Sequence, residues 1–298
     1  MNYIINITSD WNMNKLFEAF YRNTSNEKDM FLVEGLDVNE YRKTVTLTDK
    51  HHRGVDFSKE KPLVYHYKFM NYNLTVISIF KRMYMNGEFK NLDGNPFIYA
   101  LKNKYGWKFD MTDSEIYKYI RKFLSVCKNI EGHYDVIVMV PSMHQINKRF
   151  MNIVAKQVGA DLMIEDIFIK TKKSDIWDNI DIESIEDYCY RNYHPNVAMN
   201  QVERIMKNIK ESLSKMPGEY FSAGLIDKKY IEFIDNIVSI NHQYKVQDVM
   251  DMLKDKKVLV LDDILSTGST LSGCVKEIVK YKPKKLDVIT LLSKHFYE

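Results

Sequence analysis

Three stretches of this chain are apolar at consecutive positions rather than at alternating ones: residues 135–140 (DVIVMV), 257–261 (KVLVL) and 286–292 (LDVITLL). A strand that meets water on one face alternates. A strand covered on both faces does not, and such strands belong to parallel sheets with helices above and below. Residues 161–169 (DLMIEDIFI) read as a weaker strand of the same kind. Between these runs the apolar spacing becomes helical. Phe150, Ile153, Val154 and Val158 share one side of residues 147–158, which Gly159 would end. Leu271, Cys274, Val275 and Ile278 do the same within residues 270–281. The alternation predicts an α/β fold with right-handed crossovers around a parallel sheet.

The rhythm stops between residues 170 and 241. Residues 175–187 are acidic and weakly patterned. Residues 201–215 carry Val202, Ile205, Met206, Ile209 and Leu213 at helical spacing, ended by Met216-Pro217-Gly218, and a second helix is expected over 228–238. A block this long between core strands reads as an inserted flap rather than a plain loop. The first 130 residues read as a separate, smaller α+β hood packed over a core of residues 131–298. A strand is expected at 3–7, a helix at 14–22, an extended segment at 64–67 and, from the spacing of its apolar residues, a helix at 74–85. Thr112 and Glu115 form a capping box for a helix over 112–127, with Ile116, Ile120, Phe123 and Leu124 on its buried side.

Composition removes several classes. With 45% apolar and 28% charged residues, 11 Gly and 6 Pro, the 298-residue chain is neither disordered nor collagen-like, and suffices for one large domain or two modest ones. The mean hydropathy is −0.37 and no apolar run reaches ~18 residues, so no bilayer-spanning helix is expected. The formal charge of +3 is too mild to point to nucleic acid, and the longest basic cluster, residues 280–285, is broken by Tyr281 and Pro283. Cys127, Cys189 and Cys274 stand alone and fit reduced buried thiols. Residues 1–10 do not resemble a secretory signal, so a cytoplasmic location is the expectation. His51 and His52 lack an acidic partner nearby and read as surface residues; Trp11, Trp107 and Trp177 read as packing groups.

Chemistry concentrates in residues 258–271, VLVLDDILSTGSTL. Four apolar residues deliver Asp262 and Asp263 to the carboxyl end of a strand, where open α/β sheets bind ligands. Neighbouring side chains on an extended chain point to opposite sides, so the two carboxylates address different parts of one ligand. Ser266, Thr267, Gly268, Ser269 and Thr270 then offer hydroxyls and successive amides at the mouth of a helix, a setting that favours an anion. Gly268 admits close backbone approach. A diol-binding acidic pair beside a monophosphate cradle matches a ribose 5-phosphate. The plainer alternative is a strand end followed by a helix cap, although two carboxylates after four apolar residues are costly unless they face a cleft.

This segment resembles the phosphoribosyl-pyrophosphate (PRPP) signature of type I phosphoribosyltransferases, whose fold is a Rossmann-like parallel sheet flanked by helices with a hood and a flap. The resemblance implies that Asp262 and Asp263 hold the ribose hydroxyls and act in catalysis. It implies that Leu265, Ser266, Thr267, Gly268, Ser269 and Thr270 form the 5-phosphate loop. Pro141, Ser142, Met143 and His144 stand where the family's pyrophosphate loop stands, without its usual glycine or basic residue. The Pro-Ser form, with Asn147, Lys148 and Arg149 behind it, is similar to ComF-like, amidophosphoribosyltransferase-like proteins; capping of the next helix by Ser142 is the alternative. Lys170 and Lys172 open the flap and are implied as pyrophosphate contacts, against the reading of an exposed charge run. The implied activity is Mg²⁺-dependent transfer of the phosphoribosyl group from PRPP to a small nitrogenous acceptor, a nucleobase first, with release of pyrophosphate. Mg²⁺ would be held mainly through PRPP, with no metal site of the protein's own. A non-catalytic PRPP or nucleotide sensor, a ComF-like DNA-uptake factor and a nucleotide-depleting defence effector are the rival readings. Homodimers are common in the family, but no residue pattern here demands one.

Overall fold

The computed structural model describes residues 4–5, 35–48, 55–56, 63–69, 71–82, 95–124, 133–141, 145–265 and 268–294. The expected helix at 14–22, His51, His52, Trp11, Cys127, Ser142, Met143, His144, Ser266 and Thr267 lie outside the described residues, as do the side chains of Ile120, Phe123, Leu124, Asn147 and Arg149.

The strands are β1 (Ile4–Ile5), β2 (Gly35–Asn39), β3 (Thr44–Thr48), β4 (Val55–Asp56), β5 (Leu63–Phe69), β6 (Tyr72–Arg82), β7 (Lys108–Phe109), β8 (Val136–Met139), β9 (Leu162–Ile164), β10 (Phe168–Lys170), β11 (Val238–Ile240), β12 (Lys257–Leu265) and β13 (Lys285–Lys294). The helices are α1 (Asn95–Leu101), α2 (Asp113–Leu124), α3 (Gln145–Val158), α4 (Lys173–Ile176), α5 (Ile182–Asn192), α6 (Pro195–Lys215), α7 (Lys228–Ile231), α8 (Val246–Leu253) and α9 (Ser269–Val279). The main sheet runs β1-β5-β6-β13-β12-β8-β9, with β4 beside the end of β6. Its five strands β6, β13, β12, β8 and β9 are mutually parallel, and β5 returns antiparallel to β6. The fold is thus the expected α/β class, a parallel sheet flanked by helices.

The consecutive apolar runs are buried on both faces. Val258 and Val260 join one core cluster with Leu271, Cys274, Val275 and Ile278 of α9. Leu259 and Leu261 join the other, with Phe97 and Leu101 of α1, Ile116 of α2 and Phe150, Met151 and Val154 of α3. Helix α3 ends at Gly159, in the left-handed region at φ +68°, as the sequence predicts. The capping box of α2 forms: the Glu115 carboxylate accepts from the Thr112 amide (2.8 Å), and the Thr112 hydroxyl accepts from the Glu115 amide (3.3 Å).

Three expectations are corrected. Of the residues expected as a helix, 74–82 are strand; β6 occupies Tyr72–Arg82 and belongs to the main sheet. Leu74 and Val76 face one core cluster and Ile77, Ile79 and Phe80 the other, so the strand is covered on both sides. The Ser78 and Thr290 hydroxyls hydrogen-bond at 2.6 Å in the buried seam with β13. The weak strand at 161–169 is two strands, because the chain leaves the sheet at Glu165-Asp166, where the Asp166 carbonyl accepts from Asn241 (2.9 Å) and its carboxylate from the Tyr244 hydroxyl (2.5 Å). The helix expected over 228–238 closes after one turn as α7, and Asn236 turns the chain at φ +47° into β11.

The inserted block stands on an antiparallel stem: Lys170 pairs with Val238 and Phe168 with Ile240. Its acidic start is helical, since the Asp181 carboxylate caps α5 by accepting from the Ser184 amide (3.0 Å). Ile185, Cys189, Val202, Ile205 and Ile209 of α5 and α6 belong to the same core cluster as Val258 and Val260. The expected boundary near residue 130 does not coincide with an edge of the sheet, because β6 lies against β13. A buried charge fastens that seam: Asp287 accepts from the Tyr134 hydroxyl (2.6 Å) and the Thr75 amide (3.1 Å) and pairs with Lys285 (2.7 Å).

Candidate active site

β12 carries Asp262 and Asp263 at its carboxyl end, next to β13 and β8, as a sheet of this class positions a ligand site. Both are buried, at 8% and 4% exposure. The Asp263 amide donates to Asp262 Oδ1 at 2.8 Å. The two carboxyls stay within reach of each other rather than parting to opposite sides, and Lys102 acts on both. Asp262 lies within electrostatic reach of Cys274 on α9, whose thiol is raised well above its usual range, first by burial and then by that carboxylate. Asp263 Oδ2 meets the ammonium of Lys102, just past α1, at 3.2 Å. That contact is an ion pair without hydrogen-bond alignment, since Asp263 Oδ2 has no hydrogen-bond partner among the described residues.

Burial and the neighbouring Asp263 charge push the Asp262 carboxyl up to about 8, and Lys102 opposes the shift. Lys170, at the root of the insertion, completes the group. Its ammonium is disfavoured first by burial and then by Lys102, while Asp262 and Asp263 favour it. Two lysines from distant segments thus face two adjacent aspartates.

Beyond the pair, Leu265 is buried in the core and pairs with Ser293 of β13. Gly268 sits at φ +74° as the N-cap of α9, a conformation glycine adopts without strain. It contributes no side chain to the cap; Ser269 and Thr270 follow, half-buried, in the first turn. Pro141, half-buried, follows β8, whose path is tied to β12 where the Val140 amide donates to the Leu261 carbonyl (2.9 Å).

Lys172 is not brought to the aspartates by any described contact. Its ammonium pairs with Glu219 at 2.7 Å on an exposed edge of the insertion. Lys148 pairs with Glu165 at 2.5 Å. Lys102 was not among the residues singled out from sequence, and its only local signal is a lysine among several after an apolar helix. Among the described residues, His133, Asp135 and Asp161 could gather a metal ion, their ligand atoms lying within 4.8 Å of one another. They lie at the opposite, amino-terminal edge of β8 and β9, and His133 is paired with Asp161 (2.9 Å) while Asp135 accepts from the Lys257 amide (2.6 Å). Asp262 and Asp263 offer hard oxygen donors that suit Mg²⁺ or the hydroxyls and water around it.

No helix among the described residues is long and apolar enough to cross a membrane. No curated protein and no solved structure matches the chain. Residues 222–298, which hold β12, both aspartates, Gly268, α9 and β13, match the family model described as phosphoribosyl transferase domain.

Proposed function

We propose that the protein transfers the phosphoribosyl group of PRPP to a small nitrogenous acceptor, a nucleobase first, and releases pyrophosphate. The observation that carries this reading is the pair of buried carboxylates at the end of a central parallel strand, followed by a left-handed glycine and a helix start. Asp263 Oδ2, buried and with no hydrogen bond among the described residues, suits a ribose hydroxyl. The amides at the start of α9 suit the 5-phosphate, and Lys170 suits the pyrophosphate oxygens.

In the reaction the bond from C1 to pyrophosphate breaks and a C1–N bond forms, with positive charge developing on the ribose as in glycoside chemistry. Asp262 and Asp263 orient the sugar and oppose that charge. Asp262, its proton affinity raised by burial and by its neighbour, is suited to take the proton that the nitrogen loses. Mg²⁺, carried mainly by PRPP with the two carboxylates nearby, would neutralise the leaving pyrophosphate. The insertion rooted at Lys170 would close over the site and exclude water.

Mg²⁺ with PRPP should raise the melting temperature of the wild type, because a ligand bound only by the native state stabilises it. The Asp262→Asn, Asp263→Asn double variant should lose the shift. No shift at millimolar PRPP would end this reading. Pyrophosphate release measured with a panel of bases then names the acceptor; PRPP binding without release would favour the sensor instead.

A further inference from the structure

The N-terminal region contributes a cation to this acidic pair that no motif marks. The Lys102 amide donates to the Ile98 carbonyl (3.0 Å), and Phe97 and Leu101 are buried beside it, so its backbone is fixed to the core. A flexible four-carbon stem, on a side chain 23% exposed, carries its ammonium to Asp263. Two features mark this contact as replaceable. Asp263 Oδ2, on a side chain 6% exposed, still lacks a hydrogen bond among the described residues, which is a costly state for a buried carboxylate oxygen. Lys102 and Lys170 also stand close enough to repel each other while sharing the same two carboxylates. A donor hydroxyl on Asp263 and a multivalent anion between the two ammonium groups would relieve both at once.

We propose that Lys102 is a substrate-binding residue that changes partner: it holds Asp263 in the unliganded protein and passes to the pyrophosphate group of PRPP when a ribose hydroxyl takes its place on the carboxylate. The inference rests on the phosphoribosyl-transfer reading above and assigns a pyrophosphate contact to the N-terminal region rather than to the insertion alone.

Calorimetric titrations of wild type, Lys102→Met and Lys102→Arg with Mg²⁺-PRPP, Mg²⁺-pyrophosphate and ribose 5-phosphate test it. Loss of one charge-assisted contact should weaken PRPP and pyrophosphate about ten-fold or more in Lys102→Met. Ribose 5-phosphate should bind it at least as well as it binds the wild type, since no ion pair on Asp263 has to be displaced, and Lys102→Arg should recover most of the lost affinity. Equal weakening of all three ligands, or undiminished pyrophosphate binding, overturns the proposal. Should Lys102→Met fail to fold, acetylation of the wild type read by mass spectrometry decides. Mg²⁺-pyrophosphate should protect Lys102 and spare Lys172, and unprotected Lys102 overturns the assignment. A wild type that binds none of the three ligands fails the functional reading and this inference with it. A wild type that binds them beside an unaffected Lys102→Met fails the Lys102 assignment alone.

Discussion

Asp262 and Asp263 continue a strand whose preceding residues, Val258 to Leu261, are fully core, so the site places two carboxylates where the fold would favour apolar side chains. Asp262 is pushed up to about 8 in the folded protein and takes its ordinary value near 3.8 when unfolded. Below that ordinary value both states are protonated. As pH rises towards 8 the unfolded state ionises first, so stability contributed by the protonated carboxyl is lost through that window. Asp262→Asn, which mimics the protonated form, should therefore stabilise the fold at pH 8–9 by about 1–3 kcal/mol, the scale of a buried polar group freed from an unmet demand. It should change little at pH 4. Urea unfolding at both pH values measures this, and equal destabilisation at both would refute it. At this scale the acidic pair and Gly268 were legible because strand, acids, turn and helix are contiguous in sequence. Lys102 was not, because only the folded chain brings it to Asp263.

Among elements, β8, β12 and β13 were legible because neighbouring apolar residues, such as those at 136–139, 258–261 and 291–292, suit strands covered on both faces. β6 was not. Leu74, Ile77 and Phe80 fit a helical period as well as a buried strand, and the deciding facts are its neighbour β13 and the hydroxyl pair Ser78–Thr290, neither of which is local. What fastens β6 to β13 is also non-local. Asp287→Ala would leave the Tyr134 hydroxyl, the Thr75 amide and Lys285 without their shared partner. Breaking a buried charge network of this kind should cost about 3–5 kcal/mol. Tyr134→Phe, which removes one bond to a charged acceptor, should cost about 1–3 kcal/mol. Both are read from urea denaturation midpoints. A smaller loss for Asp287→Ala than for Tyr134→Phe would show that Asp287 is not the hub.

For the whole molecule, the insertion and the N-terminal region are joined to the sheet rather than resting on it. α5 and α6 share a core cluster with β12, and β6 forms one border of the parallel array, with β5 beyond it. A fragment of residues 131–298 would lack β6 and expose the β13 edge together with the apolar faces that β6 completes. It should stay unfolded or aggregate, seen as a loss of cooperative unfolding by circular dichroism; a cooperative transition would show that β6 is dispensable. The strands after residue 130 were legible, but their order in the sheet was not, since pairing between distant segments leaves no local mark. β13 lies between β6 and β12, yet it is the last of the five parallel strands in sequence. On a translating ribosome, β6, β8, β9 and β12 all emerge before the strand that joins them. Until residues 285–294 follow, the nascent chain holds an unfilled lane flanked by adhesive edges, and its safe passage depends on chaperone cover or on a delay in collapse.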